Sequence, residues 1–156
     1  MFFTRTCINN CCVIHQRPAC NATSPDYRWK YGRQKAGVIL YTPDTILLVQ
    51  SHGKKWGPPK GTVEQETVVE CAARELAEET GILLEDFEND EQLNINKAVY
   101  FLHPSRVEYN ISNIESDVTG ITWIKLDCLK QMHKLGVLEL SHQCKRILDR
   151  LWSYKN

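Results

Sequence analysis

The chain has 156 residues, 42% hydrophobic and 24% charged, and its 19 basic and 19 acidic side chains cancel to a net charge of zero. This composition excludes an intrinsically disordered chain, and no apolar run approaches the roughly 18–20 residues of a membrane-spanning helix. The length suits one domain with a sizeable core.

Residues 1–35 show no clear periodicity and read as an appended arm, basic by six Arg/Lys against one Asp. Seven cysteines are an odd number, so internal disulfide pairing cannot be complete, and the opening MFFTRTCINN lacks the apolar core of a secretory signal. A reduced, cytoplasmic protein is expected. Cys7, Cys11, His15 and Cys20 are spaced C-x3-C-x3-H-x4-C. These ligand types suit Zn2+, and the run resembles a zinc knuckle, C-x2-C-x4-H-x4-C, with its first half off by one residue. Reduced cysteines in a loose arm are the plain alternative. Arg28-Trp29-Lys30-Tyr31-Gly32-Arg33-Gln34-Lys35 interleaves cations with aromatics. That mixture suits the phosphates and stacked bases of single-stranded RNA, or equally a charged linker packed on the domain.

A compact α/β pattern begins at residue 36. Ala36–Tyr41 and Thr45–Gln50 are β-rich runs separated by the turn signal Thr42-Pro43-Asp44. Ser51 to Gly61 reads as a loop. Ala98–Leu102 is a buried strand candidate, Val107, Tyr109 and Ile111 alternate as a half-exposed strand would, and Gly120–Leu126 gives one more strand. Ser141 is placed to cap a last helix whose Cys144, Ile147, Leu148, Leu151 and Trp152 share one face.

Between these strands lies GTVEQETVVECAARELAEETGI, residues 61–82, within a segment (61–91) of eleven acidic residues and one arginine. Thr67 followed by Glu70 fits a capping box, the alanines and Leu76 favour helix, and Gly81 is placed to end it. At about 100° per residue Val69, Ala73, Leu76 and Thr80 form a core-facing stripe, while Glu75, Glu78 and Glu79 gather on the other side. Like charges at this spacing destabilise an isolated helix. A solvated acidic face is one reading. The other is a site for a hard divalent cation, which prefers carboxylate oxygens, with Arg74 holding the carboxylates through forked hydrogen bonds.

The segment resembles the Nudix box, the motif of the Nudix hydrolases. Arg74-Glu75-Leu76-Ala77-Glu78-Glu79-Thr80-Gly81-Ile82 matches its second half at every specified position, and Glu66 stands in register. One departure is plain: four residues separate Gly61 from Glu66 where the family has five. The resemblance implies an α/β/α sandwich with a mixed sheet and a C-terminal helix, formed by residues 36–156. It implies hydrolysis of a diphosphate bond with Mg2+ or Mn2+ held by Glu75, Glu78 and Glu79, aided by the Gly61 carbonyl. Glu78 or Glu79 would activate the water, with Glu115 as a loop alternative, and Glu66 and Arg74 would act as supports. A catalytically silent Nudix-like binding module is the other class, but such members typically lose these glutamates, and here all are retained.

Trp56-Gly57-Pro58-Pro59-Lys60-Gly61 resembles the same segment of diadenosine tetraphosphate hydrolases, and also the messenger RNA decapping and diphosphoinositol polyphosphate hydrolase branches. The expected substrate is therefore a nucleotide polyphosphate, first a dinucleoside polyphosphate, then an RNA cap bound with help from the basic arm. Lys60 would pair with its phosphates and Lys54 and Lys55 would assist, while Trp56 would either stack on a base or anchor packing.

Overall fold

The computed structural model describes residues 1–18, 33–51 and 53–153. Two sheets and three α-helices make up this part of the chain. The first sheet runs β1 (Phe3–Thr6), β2 (Val13–Gln16), β9 (Val118–Lys125), β4 (Thr45–Ser51), β5 (Lys55–Gly57), β10 (Glu139–Leu140); the second runs β6 (Lys60–Thr62), β3 (Lys35–Leu40), β8 (Ala98–His103), β7 (Glu91–Ile95). Pairing is mixed, with β3 parallel to β8 and β5 parallel to β10 among antiparallel neighbours. The helices are α1 (Val68–Thr80), α2 (Leu126–Lys134) and α3 (His142–Trp152).

The central strands are apolar at consecutive positions because both of their faces are covered. Successive side chains of a strand point to opposite faces. Ile39, Ile46, Leu48, Tyr100 and Ile124 accordingly pack with Leu129 and Met132 of α2 and Ile147 and Leu148 of α3. Val38, Leu40, Leu47, Val49, Phe101 and Ile121 pack on the other side with Ala72 and Leu76 of α1. This layering is the expected α/β sandwich with a mixed sheet and a C-terminal helix.

Helix α1 starts at Thr67, whose side chain accepts from the Glu70 N–H at 3.1 Å while Glu70 Oε1 accepts from the Thr67 N–H at 3.0 Å. Such a cap contributes about 1 kcal/mol. The helix ends at Gly81, whose φ of 74° is left-handed and whose N–H bonds Ala77 O. Helix α3 is capped by Ser141, whose Oγ accepts from the Cys144 N–H at 3.1 Å.

Three expectations are corrected. Ser51 to Gly61, read as a loop, holds β5 and the start of β6, three-residue strands too short to show a period. Residues 107–111 form no strand: Val107 and Tyr109 do turn inward, but the backbone has no ladder partner, and Val107 O instead accepts from Trp123 Nε1 at 2.8 Å. The start of the chain, read as a loose arm, contains a hairpin, β1 paired with β2, and β2 continues the first sheet through Ile14↔Thr122 and His15↔Ile121. Four-residue strands are too short to show a period, but the buried Ile14 gives β2 a place in the core. The basic aromatic segment expected at residues 28–35 lies, up to residue 32, outside the described residues, as do Cys20 and His52. Among the described residues no helix is long and apolar enough to cross a membrane.

Candidate active site

Arg74, on the α1 face turned toward β6, organises the carboxylates. Its guanidinium forks onto Glu66, with Nη2 to Oε1 at 2.6 Å and Nε to Oε2 at 3.1 Å. Nη1 donates to Glu75 at 3.0 Å and to Glu78 at 3.2 Å, and Nη2 also donates to the Thr62 carbonyl at 3.2 Å. A planar, permanently charged group with five donors is what such a task needs; a lysine could not serve it.

The carboxylates are less solvated than a helical wheel suggests. Glu79 is only 4% exposed and accepts from the Lys60 N–H at 3.0 Å. The Glu75 side chain is 13% exposed and that of Glu78 is 32% exposed. Strand β6 and the loop before it cover the side of α1 that faces away from the core stripe, so the helix is enclosed on more than one side. Gly61 is part of this cover: a Cβ there would lie 1.9 Å from the Glu75 carboxyl carbon. Glycine at 61 leaves the space that Glu75 occupies. The Gly61 carbonyl meets Cys71, whose Sγ lies 3.7 Å away. Burial pushes the Cys71 thiol up to about 12, which removes it as a thiolate nucleophile.

Enclosure sets the electrostatics. Burial raises Glu79 well above the usual carboxylate range, with repulsion from Glu75 and Asp117 adding to it and Lys60 opposing it. Glu75 is raised by burial and then by Glu78, against the pull of Arg74. Glu66, hydrogen-bonded by Arg74, is lowered. The loop before β9 brings two more carboxylates. The Glu115 N–H donates to the Glu78 carbonyl at 2.9 Å, and the Glu115 side chain is raised by burial, then by Glu78, Asp117 and Glu75.

This set of oxygen donors, several held above their usual range by burial and mutual repulsion, fits a hard divalent cation. Glu75, Glu78 and Glu79 are the residues that could hold it. When bound, such an ion supplies neutralisation of phosphate oxygens and a water of lowered pKa.

Beside Glu79 opens a cleft of about 210 Å³ lined by Lys55, Gly57, Pro58, Lys60 and Ser141 among others. Two lysines therefore share the lining of this cleft with Glu79. Lys54 is exposed and lies outside that lining. Trp56 is not available to stack on a base. Strand alternation turns it inward while Lys55 turns out, and Trp56 is 1% exposed in the core with Leu140 and Cys144.

Residues invisible to motif reasoning also converge here. Asp117 stands near Glu75, Glu79 and Glu115, and its position before β9 carries no spacing signal. Arg17, just past β2, donates through Nη2 to the Glu115 carbonyl and through Nε to the Val118 carbonyl at 2.6 Å. The hairpin thereby braces the loop that carries Glu115 and Asp117.

The cysteine arrangement differs from the expected Cys7, Cys11, His15 and Cys20. His15 follows the inward-facing Ile14 and so points to the opposite face of the sheet, where its Nδ1 lies 2.5 Å from the Tyr109 hydroxyl. Cys7 and Cys11 instead meet Cys12 and Cys128.

Residues 32–143 match the family model of the NUDIX domain. The chain is 33% identical over 130 residues to "Putative hydrolase 111R" of Invertebrate iridescent virus 3, covering 78% of this chain and 77% of that protein. It is 34% identical over 110 residues to the m7GpppN-mRNA hydrolase dcap-2 of Caenorhabditis elegans, covering 60% of this chain but 14% of that much longer protein. Among solved structures, the MutT NUDIX hydrolase from Burkholderia pseudomallei superposes with a TM-score of 0.57 at 26% identity, covering 75% of this chain and 95% of that one. The family match spans well over half of the chain and includes the whole carboxylate-bearing helix, so this chain belongs to the Nudix hydrolases, enzymes that cleave diphosphate bonds.

Proposed function

We propose that the enzyme uses Mg2+ or Mn2+ on Glu75, Glu78 and Glu79 to hydrolyse the polyphosphate bridge of a dinucleoside polyphosphate, such as diadenosine tetraphosphate. The observation that carries this reading is the cleft that Lys55 and Lys60 line together with the buried Glu79. Two lysines and the Glu79 carboxylate lining one cleft suit a chain of phosphates bound there beside a metal ion. The cleft is too small for two nucleosides, so it accounts for the phosphates and leaves the bases outside it. The double proline of Trp56-Gly57-Pro58-Pro59-Lys60-Gly61 supports the same substrate by resemblance.

Within this reading Glu78, the most exposed of the three, or Glu79 takes the proton of the attacking water, with Glu115, whose N–H bonds the Glu78 carbonyl, as the loop alternative. Glu66 and Arg74 hold the glutamates in place, and Lys60 contacts the phosphates.

A second reading is cleavage of an RNA cap, which is itself two nucleosides joined by a polyphosphate. The 34% identity to an m7GpppN-mRNA hydrolase favours it. A product-resolved panel of diadenosine tetraphosphate, m7GpppA, capped RNA and a diphosphoinositol phosphate separates the readings. Preference for diadenosine tetraphosphate supports the first. Preference for capped RNA over free m7GpppA, lost on deleting residues 19–32, supports the second.

A further inference from the structure

We propose that Cys7, Cys11, Cys12 and Cys128 bind one structural Zn2+ that locks the N-terminal hairpin onto α2. All four sulfur atoms lie within 4.8 Å of one another. The Cys11 sulfur is 3.5 Å from that of Cys7, 3.7 Å from Cys12 and 3.3 Å from Cys128. Four thiolates on a tetrahedral Zn2+ at about 2.3 Å place their sulfurs about 3.8 Å apart, so only small side-chain adjustments separate this cluster from a closed zinc site.

Hydrogen-bond donors surround the sulfurs. The N–H groups of Cys11 and Cys12 both donate to Cys7 Sγ at 3.3 Å, the Lys125 N–H donates to Cys12 Sγ at 3.4 Å, and Asn9 Nδ2 donates to Cys128 Sγ at 3.4 Å. Such donors orient metal-bound sulfurs and offset their charge. The turn that presents them is shaped for the purpose: Cys7 N–H bonds Cys12 O at 3.0 Å, and Asn10 takes a left-handed φ of 57°. A purely apolar packing role would need none of these donors.

Cys7, Cys12 and Cys128 are buried and Cys11 is exposed, so the ion would sit at the edge of the core, and its four sulfur ligands would complete the tetrahedral shell with no position left for water. That is the signature of a structural rather than catalytic zinc. Three ligands come from the β1–β2 turn and the fourth from α2, directly after β9. The ion would therefore tie together two segments far apart in sequence, on a hairpin whose other end, through Arg17, braces the Glu115 loop.

The test is metal analysis of the full chain, purified under reducing conditions without added zinc, for the wild type, Cys128→Ser, Cys20→Ser and Cys144→Ala. The expected result is about one Zn2+ per chain in the wild type, Cys20→Ser and Cys144→Ala, and a loss of at least about tenfold in Cys128→Ser. Because Cys128→Ser could fold poorly, X-ray absorption on the wild-type zinc is the second measurement, with four sulfur scatterers at about 2.3 Å expected. Wild-type protein without zinc, its four thiols free or paired as disulfides, overturns the proposal. So does a shell containing nitrogen, or zinc lost in Cys20→Ser and retained in Cys128→Ser.

Discussion

Glu79 lies buried at the C-terminal end of its helix, and the backbone N–H of Lys60 donates to its Oε1 across 3.0 Å. One hydrogen bond thus joins the Pro58-Pro59-Lys60-Gly61 segment to the acidic helix and fixes a carboxylate where the cleft lined by Lys55 and Lys60 begins. An isolated buried carboxylate is costly, and a group held under that cost at a cleft is a candidate functional group.

Glu79→Gln keeps the acceptor for Lys60 but removes the charge. Activity is expected to fall by roughly 10²–10⁴-fold. In metal-free protein the melting temperature should rise by about 2–4 °C, equivalent to ~1 kcal/mol, because a repelled, desolvated charge is gone. Steady-state kinetics and thermal melts in EDTA check both halves.

The pH dependence of that difference follows from the direction of the shifts. Glu79 and Glu75 have folded-state pKa values raised above their unfolded ones, so the folded protein binds more protons. Their ionisation costs stability progressively as pH rises through the raised range, and the cost vanishes when pH falls below the unfolded carboxylate value. Glu66 is lowered, so its contribution is present above its unfolded pKa and lost as pH falls through the folded one. In EDTA the advantage of Glu79→Gln over wild type should be largest near neutral pH and shrink toward pH ~4. Melts across this range measure it.

Gly61→Ala would place a methyl 1.9 Å from the Glu75 carboxyl carbon. The carboxyl is the end of a flexible side chain, so it can move aside without unfolding the protein. The expected effect is on catalysis, a loss of about 10²-fold for a displacement near 1 Å, with the melting temperature little changed. A comparable loss of stability without loss of activity would contradict the placement of Glu75.

Arg17→Ala removes two hydrogen bonds from a charged group to the carbonyls of Glu115 and Val118. Charged hydrogen bonds of this kind are worth about 1.5–3 kcal/mol where buried, and less here because the contact to Glu115 is exposed. Turnover should fall by about tenfold with KM nearly unchanged. Equal loss in Glu115→Gln and Arg17→Ala, with no further loss in the double variant, would place both on one path.

Trp56→Ala should cost about 3–5 kcal/mol, as for a buried aromatic, and leave KM for the remaining folded enzyme unaltered. Thermal melts with parallel kinetics distinguish this from a stacking role, in which KM would rise and stability would hold.

The helix was legible in the sequence to its ends, because capping box, helix formers and terminal glycine all act within a few residues. The two central apolar runs were legible as strands for the same local reason. The β1–β2 hairpin was not, since four-residue strands carry no period and their pairing with β9 is written in contacts more than a hundred residues away. Glu75, Glu78 and Glu79 could be named from spacing and resemblance. Their burial could not, because it depends on β6 crossing the helix. Asp117, Arg17 and Cys128 reach their clusters only through tertiary structure, and His15 left its expected cluster through the alternation of one strand. Trp56 stood open between stacking and packing, and the core claimed it.

Metal-dependent hydrolysis of a nucleotide polyphosphate by the three glutamates of α1 is the reaction proposed for this enzyme. Its most direct test is the rate of diadenosine tetraphosphate hydrolysis at saturating Mg2+ by the wild type, Glu78→Gln and Glu79→Gln, each shown by circular dichroism to be folded. The wild type is expected to form product and both variants to lose at least about 10²-fold in rate. Wild-type rates from both variants would contradict it.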